Sequence, residues 1–177
     1  EIRQFDPGIF IDDDQRIYLF SGNSPRYKTP GVDKDSLKME LEQDMIALRR
    51  KFHRHPELGL HEVWTSAQLE AYLTDLGLEV RRCTETGVIG VLKGSQPGKT
   101  ILLRCDIDAL PVTEQTGLPF ASENPGVMHA CGHDSHMAML LTAAEILYGK
   151  KLPQNIRFLF QPAEEGVSGA KEMVEAG

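Results

Sequence analysis

At 177 residues the chain can bury the core of one ordinary domain but falls short of two full ones. Twenty-six acidic against nineteen basic residues, a net charge of -7 and 41% hydrophobic residues describe a mildly acidic globular protein. No lysine and arginine stripe offers the phosphate neutralisation that nucleic acid needs, and neither a secretory leader nor a membrane-length apolar run is present, which excludes nucleic acid and membrane as expected partners. The three cysteines are odd in number and widely spaced, so a disulfide framework is not expected and a reducing, cytoplasmic setting is. The chain opens on Glu1 rather than methionine and stops at Gly177 directly after a helical pattern, so it is expected to be incomplete at both ends.

Residues 1–34 read as a hairpin-like extension and linker. Gly8–Ile11 and Arg16–Phe20 are short β-like runs around Asp12-Asp13-Asp14-Gln15, and Ser21–Pro25 and Thr29-Pro30-Gly31 are linker material. Residues 5–20 resemble a blade strand of the five-bladed propeller glycoside hydrolases of family 43, which implies a carbohydrate-active segment; the plainer reading is an appended hairpin. The triple aspartate lacks the glycine and terminal glutamate of an EF-type calcium loop.

From Asp35 the periodicity becomes helical. Leu37, Leu41, Met45, Leu48 and Phe52 form one apolar face, with Asp33 or Asp35 as cap and Pro56 as stop; Arg49-Arg50-Lys51 and Arg54 read as a solvated face. A second helix is expected to turn Trp64, Ala67, Ala71, Tyr72 and Leu76 inward and to close at Gly77. His53, His55 and His61 around the junction suggest capping or surface roles rather than metal ligation. Strands are expected at Leu78–Arg82, Val88–Leu92 and Thr100–Cys105, the third a continuous apolar run with the profile of a buried strand, delivering Asp106 and Asp108 at its end. Cys83 and Cys105 read as small buried hydrophobes. A long aperiodic loop, residues 109–127, leads to Cys131 and a helix over Asp134–Tyr148 with Met137, Leu140, Leu141, Ala144 and Leu147 inward. Asn155–Phe160 is a further buried strand, and Ala170–Ala176 a last helix.

Chemistry concentrates at element ends. Met128–His136 holds three histidines, a cysteine and an aspartate; Asp106 and Asp108 follow one strand, and Glu164 and Glu165 follow another. Ligands in an α/β sheet bind at the carboxyl ends of its strands, so these three segments are expected to converge as a metal-dependent hydrolase site. Each is weak alone: a Cys-X-His pair falls short of a closed zinc site, and adjacent glutamates often form a solvated turn.

Four motifs in order carry a specific resemblance: His55-Pro56-Glu57-Leu58, Arg104–Pro111, Met128–His136 and Phe160–Gly166. From about Leu37 to Gly177 the chain resembles the amidohydrolases of peptidase family M20, subfamily D, the group of hippurate hydrolases, N-acyl-amino-acid amidohydrolases and auxin-conjugate hydrolases. The resemblance implies an α/β fold, a mixed sheet flanked by helices, with residues 35–177 forming the N-terminal portion of the metallohydrolase catalytic domain. It implies Cys131, His133 and Glu165 as metal ligands, Glu164 as general base, and Asp108 as the carboxylate that orients a ligand, while Asp134 and His136 shape the start of the helix. It implies two divalent ions, zinc, manganese, nickel or cobalt, and a small N-acyl amino acid as substrate. The family's remaining histidine ligands and its lid and dimerisation domain are expected beyond Gly177. The 177-residue chain by itself is therefore expected to bind metal weakly and hydrolyse amides poorly. The alternative is a non-catalytic metal-binding fragment.

Overall fold

A computed structural model describes residues 7–11, 17–21, 34–166 and 169–177. The chain divides into two compact units, Glu1–Glu40 and Leu41–Gly177. In the first, β1 (Pro7–Ile11) and β2 (Ile17–Ser21) pair antiparallel, with Ile11 opposite Ile17, so the expected hairpin strands form. Asp12, Asp13, Asp14 and the Asp33 cap lie outside the described residues, as do the side chains of Leu37 and Leu41.

The helix α1 (Lys34–Arg54) runs to the expected stop before Pro56, and α2 (Val63–Asp75) follows it. Four strands, β3 (Glu79–Arg82), β4 (Val88–Leu92), β5 (Thr100–Asp106) and β6 (Asn155–Gln161), make one sheet in the order β3-β4-β6-β5. The first three neighbours pair antiparallel, while β5 and β6 run parallel. A parallel pair needs a crossover, and α3 (His133–Leu147) provides it; α4 (Gly169–Ala176) ends the described chain. Helices α2 and α3 pack against the sheet and each other. Their Leu69, Leu73, Met137, Leu141 and Leu147 are buried, as are Val88, Ile156, Phe158 and Phe160 from the sheet. Gly90 lets α2 approach closely, since a Cβ there would stand 3.1 Å from Leu73 Cδ1. Among the described residues no helix is long and apolar enough to cross a membrane.

Two expectations need correction. The buried face of α2 is Thr65, Ser66, Leu69 and Leu73, while Ala67 and Ala71 face solvent. Periodicity misplaces the face because it treats hydroxyls as outward groups. Here Ser66 Oγ reaches the carbonyls of Glu62 and Thr86 at 2.5 and 2.6 Å, which satisfies it inside. Gly77 does close the helix: at φ 93 it ends α2, with the Leu78 amide returning to the Leu73 carbonyl at 3.0 Å. Strand β5 is the second correction. Among the described residues it stands at the end of the strand order, with Ile101 and Leu102 exposed by 41 and 55%, because it has a neighbour on one side only there and its apolar run is covered chiefly toward its end, at Cys105.

Candidate metal centre

The parallel pairing of β5 and β6 sends both strands out at the same end of the sheet. Asp106 lies opposite Gln161, and the Ile107 amide extends the ladder to the Gln161 carbonyl at 3.0 Å. Beyond them one chain passes through Asp108 and the other turns through Ala163, Glu164 and Glu165. The loop after Asp108 is pinned at both ends by the Leu110–Met128 pair, whose amides and carbonyls bond reciprocally at 3.0 Å. That closure returns the chain to the same sheet end. Gly132, at φ 98, then turns it into α3.

The result brings together the three expected ligands. One ligand atom each from Cys131, His133 and Glu165 lies within 4.8 Å of the others. Glu164 stands beside them, its Oε2 4.0 Å from His133 Nε2 and its side chain 43% exposed. Asp108 is buried and grips both partners: His133 Nδ1 lies 2.9 Å from the Asp108 carbonyl oxygen, and the Glu165 amide donates to Asp108 Oδ2 at 2.8 Å. This leaves His133 Nε2 as the ring nitrogen free to face a ligand.

The groups of the cluster shift one another's ionisation. A hydrogen bond with Glu165 first, then burial and the charges of Glu165, Glu164 and Asp106, push the Cys131 thiol up to about 11. Burial likewise raises the Asp106 carboxyl. Burial opposes ionisation of both His133 and Asp108, but hydrogen bonding to Asp108 prevails at His133 and raises it, while hydrogen bonds from His133 and from the Glu165 and Glu164 amides prevail at Asp108 and lower it. A thiol, an imidazole and carboxylates crowded this closely are a donor set for a divalent ion.

Asp106 and His136 fall outside the expected set of ligands, yet with His133 they also bring ligand atoms within 4.8 Å. With His133 Nδ1 bonded to the Asp108 carbonyl, an ion held by one trio would leave no free His133 nitrogen for the other. Asp134, expected to shape the start of α3, is fully buried there and holds Arg49 Nε at 2.9 Å and His53 Nδ1 at 2.7 Å. His53 is thus a buried structural residue, not a surface one; His55 packs tilted against Trp64 with ring centroids 4.6 Å apart, and His61 is exposed. Cys105 is buried as expected, whereas Cys83 is half-buried.

Sequence reasoning assigned no role to two glutamates of the segment that begins at His55-Pro56. The Glu57 carboxylate accepts the Trp64 and Thr65 amides at 3.0 and 2.8 Å and caps α2, and the Glu57 carbonyl accepts the Ala109 amide at 2.8 Å. Glu62, with no exposed surface, accepts the Ala163 amide at 2.8 Å. The available signal was the density of acids in a loop where hydrophobic spacing lapses.

Residues 102–177 match the family described as Peptidase family M20/M25/M40. The chain is 51% identical over 144 residues to thermostable carboxypeptidase 1 of Saccharolobus solfataricus, covering 78% of this chain and 37% of that protein. It is 49% identical over 136 residues to N-acetyldiaminopimelate deacetylase of Listeria monocytogenes, covering 75% of this chain and 36% of that protein. The crystal structure of the Bacillus subtilis YxeP protein, described as a dinuclear metal-binding peptidase of the M20 family, superposes with a TM-score of 0.76 at 43% identity, over 78% of this chain and 40% of that one. The chain therefore spans well under half the length of these relatives. Residues 102–177 are part of a peptidase family M20 domain, and the mixed sheet with its flanking helices is the fold of that family's catalytic domain.

Proposed function

We propose that the protein is a metal-dependent amidohydrolase of the M20 subfamily D type, cleaving the amide bond of small N-acyl amino acids, hippurate-like in form. Residues 35–177 contribute the N-terminal portion of its catalytic domain, and residues 1–34 are an appended hairpin and linker. The observation that carries the reading is the meeting of a thiol, an imidazole and a carboxylate from separate segments, beside a second carboxylate that reaches solvent. Cys131, His133 and Glu165 would hold a divalent ion. The thiolate favours zinc, nickel or cobalt, while the oxygen ligands would also accept manganese. The YxeP protein is dinuclear, and two ions are proposed for this protein as well. When bound, such ions lower the pKa of a water toward neutrality and polarise a carbonyl.

The chain's own residues supply the remaining steps. Glu164, close to the ligands but turned partly to solvent, takes a proton from the attacking water and hands it to the departing amine nitrogen. Asp108 holds His133 Nδ1 and the Glu165 amide, so both ligands keep one orientation through the reaction. The products are a carboxylate and a free amino acid. A carboxypeptidase releasing a terminal amino acid and a deacetylase acting on N-acetyldiaminopimelate cut the same kind of bond, between an acyl carbon and an amino acid nitrogen. A cytoplasmic, reducing setting is proposed with it, from the odd number and wide spacing of the cysteines in the sequence.

The test uses the whole protein with hippurate and N-acetyl amino acids. Glu164→Gln should keep bound metal and lose at least about 100-fold in kcat. Cys131→Ser should lower metal content. Undiminished hydrolysis after complete chelation, or by Glu164→Gln, would overturn the proposal.

A further inference from the structure

We infer that Glu62 is a positioning residue for the Glu164–Glu165 turn: from the head of α2 its carboxylate fixes the Ala163 backbone and thereby the approach of Glu165 to Cys131 and His133. The inference rests on the reading of Cys131, His133 and Glu165 as cation ligands. Three observations lead to it. Ala163 has φ 51, a left-handed conformation that a side-chain-bearing residue adopts only when its surroundings impose it. The Glu62 carboxylate accepts the Ala163 amide at 2.8 Å across 101 residues of sequence, and it does so fully buried. The same turn is held two residues on, where the Glu165 amide donates to Asp108 Oδ2 at 2.8 Å. Two buried carboxylates thus bracket the base and the ligand.

The electrostatic setting of Glu62 argues against a role in stability alone. Burial, foremost, holds its carboxyl above the ordinary range, and the charge that acts on it is the like charge of Asp108. Among the described residues no cation pairs with Glu62, and an unpaired buried acid is destabilising relative to an apolar side chain of similar size, so a fold selected only for stability would replace it. What Glu62 does supply to the turn is an acceptor for the Ala163 amide. Gly59, from the same loop, completes the template: a Cβ there would stand 3.0 Å from Ala163 Cα, so the loop and the turn are in backbone contact. The His55-Pro56-Glu57-Leu58 segment thereby gains a purpose, since Glu57 anchors the loop to α2 and to Ala109 while Glu62 reaches the turn.

The experiment is a Co2+ titration of the chain, read from the thiolate-to-cobalt charge-transfer band and the visible ligand-field bands. Glu62→Met keeps the volume and removes the acceptor; it should raise the Co2+ midpoint by about 10-fold and shift the visible bands, a magnitude usual for lost outer hydrogen bonds at metal sites. Glu62→Gln keeps an acceptor and should bring the midpoint back to within about threefold of wild type. A purely structural role would lower the urea midpoint of Glu62→Met and leave the Co2+ midpoint and spectrum unchanged, which overturns the inference. Hydrogen exchange on the unsubstituted chain gives a reading that does not depend on the variant folding. The Ala163 amide should be protected as strongly as those of β6, and exchange at the rate of an open loop would also overturn it. Cys131→Ser separates the two layers: if it leaves the charge-transfer band intact, the cation reading itself fails, whereas loss of the band together with an unaffected Glu62→Met isolates the failure to Glu62.

Discussion

Gly59→Ala sets two opposing effects against each other at a point where the geometry decides the sign. Gly59 is not in the left-handed region, so alanine meets no backbone strain there and would gain about 0.4–1 kcal/mol by restricting the unfolded chain. Against this, the new Cβ would stand 3.0 Å from Ala163 Cα, 3.1 Å from Ala163 Cβ and 3.5 Å from Asp108 Oδ2. Carbon atoms settle at about 3.5–4.0 Å, so roughly 0.5 Å must be found, and the neighbour is backbone rather than a side chain that can swing away. Ala163 is fully buried and tied to Glu62, which leaves it little room to yield. Overpacking of this kind costs about 1–3 kcal/mol, which at central values outweighs the entropic gain and leaves a net loss of about 1 kcal/mol. Urea unfolding followed by circular dichroism should therefore show a lower midpoint with an unchanged slope. Because Ala163 directly precedes Glu164 and Glu165, the Co2+ midpoint should rise as well. A Gly59→Ala chain as stable as wild type, with unaltered Co2+ binding, would show that the loop and the turn have slack and would refute the packing argument.

The inward face of α2 is tested by Leu73→Ala, which should cost about 2–5 kcal/mol in urea unfolding, against Ala71→Lys, which should stay within about 0.5 kcal/mol; the reverse ranking would restore the face expected from periodicity. His53 gives the pH dependence. Its pKa is raised, chiefly by its hydrogen bond with Asp134, and the groups around it are Asp134, Glu114, the Arg49 that also binds Asp134, and His129, which burial holds down at about 4 and so neutral. A raised folded-state value means that the contribution is complete below the unfolded value of about 6.5 and fades as pH climbs through the folded value. The stability gap between wild type and His53→Gln should accordingly be wider at pH 6 than at pH 9, and an equal gap at both would remove the charged pair from the account.

The fold was legible where burial is one-sided and apolar. The face of α3 follows directly from Met137, Leu140, Leu141, Ala144 and Leu147, all buried, and β6 from the alternation that buries Ile156, Phe158 and Phe160. It was illegible where polar groups go inward. Ser66 lies on the buried side of α2, beside Thr65, because the carbonyls of Glu62 and Thr86 accept its hydroxyl, and no hydrophobic count registers that. Strand β5 misled for the opposite reason: its apolar run states what the strand could bury, whereas exposure at Ile101 and Leu102 depends on its place at the end of the strand order among the described residues.

The same division runs through the site. Cys131, His133, Glu164 and Glu165 could be picked out because they stand at element ends, where α/β sheets gather ligands. Glu57 and Glu62 could not, since an acid near a helix start ordinarily reads as a solvated charge, and the partner of Glu62 lies 101 residues away. What connects the two levels is register. Asp106 lies opposite Gln161, and from that pairing Asp108 and Glu165 emerge close enough for the 2.8 Å bond between them. Side chains alternate faces along a strand, so a slip of one residue between β5 and β6 would turn Asp106 to the opposite face and carry Asp108 out of line with the Glu165 amide. The apolar residues that fix this register, Ile156, Phe158 and Phe160 on the strand that α3 packs against, therefore determine the geometry of the candidate centre as firmly as the acids that line it.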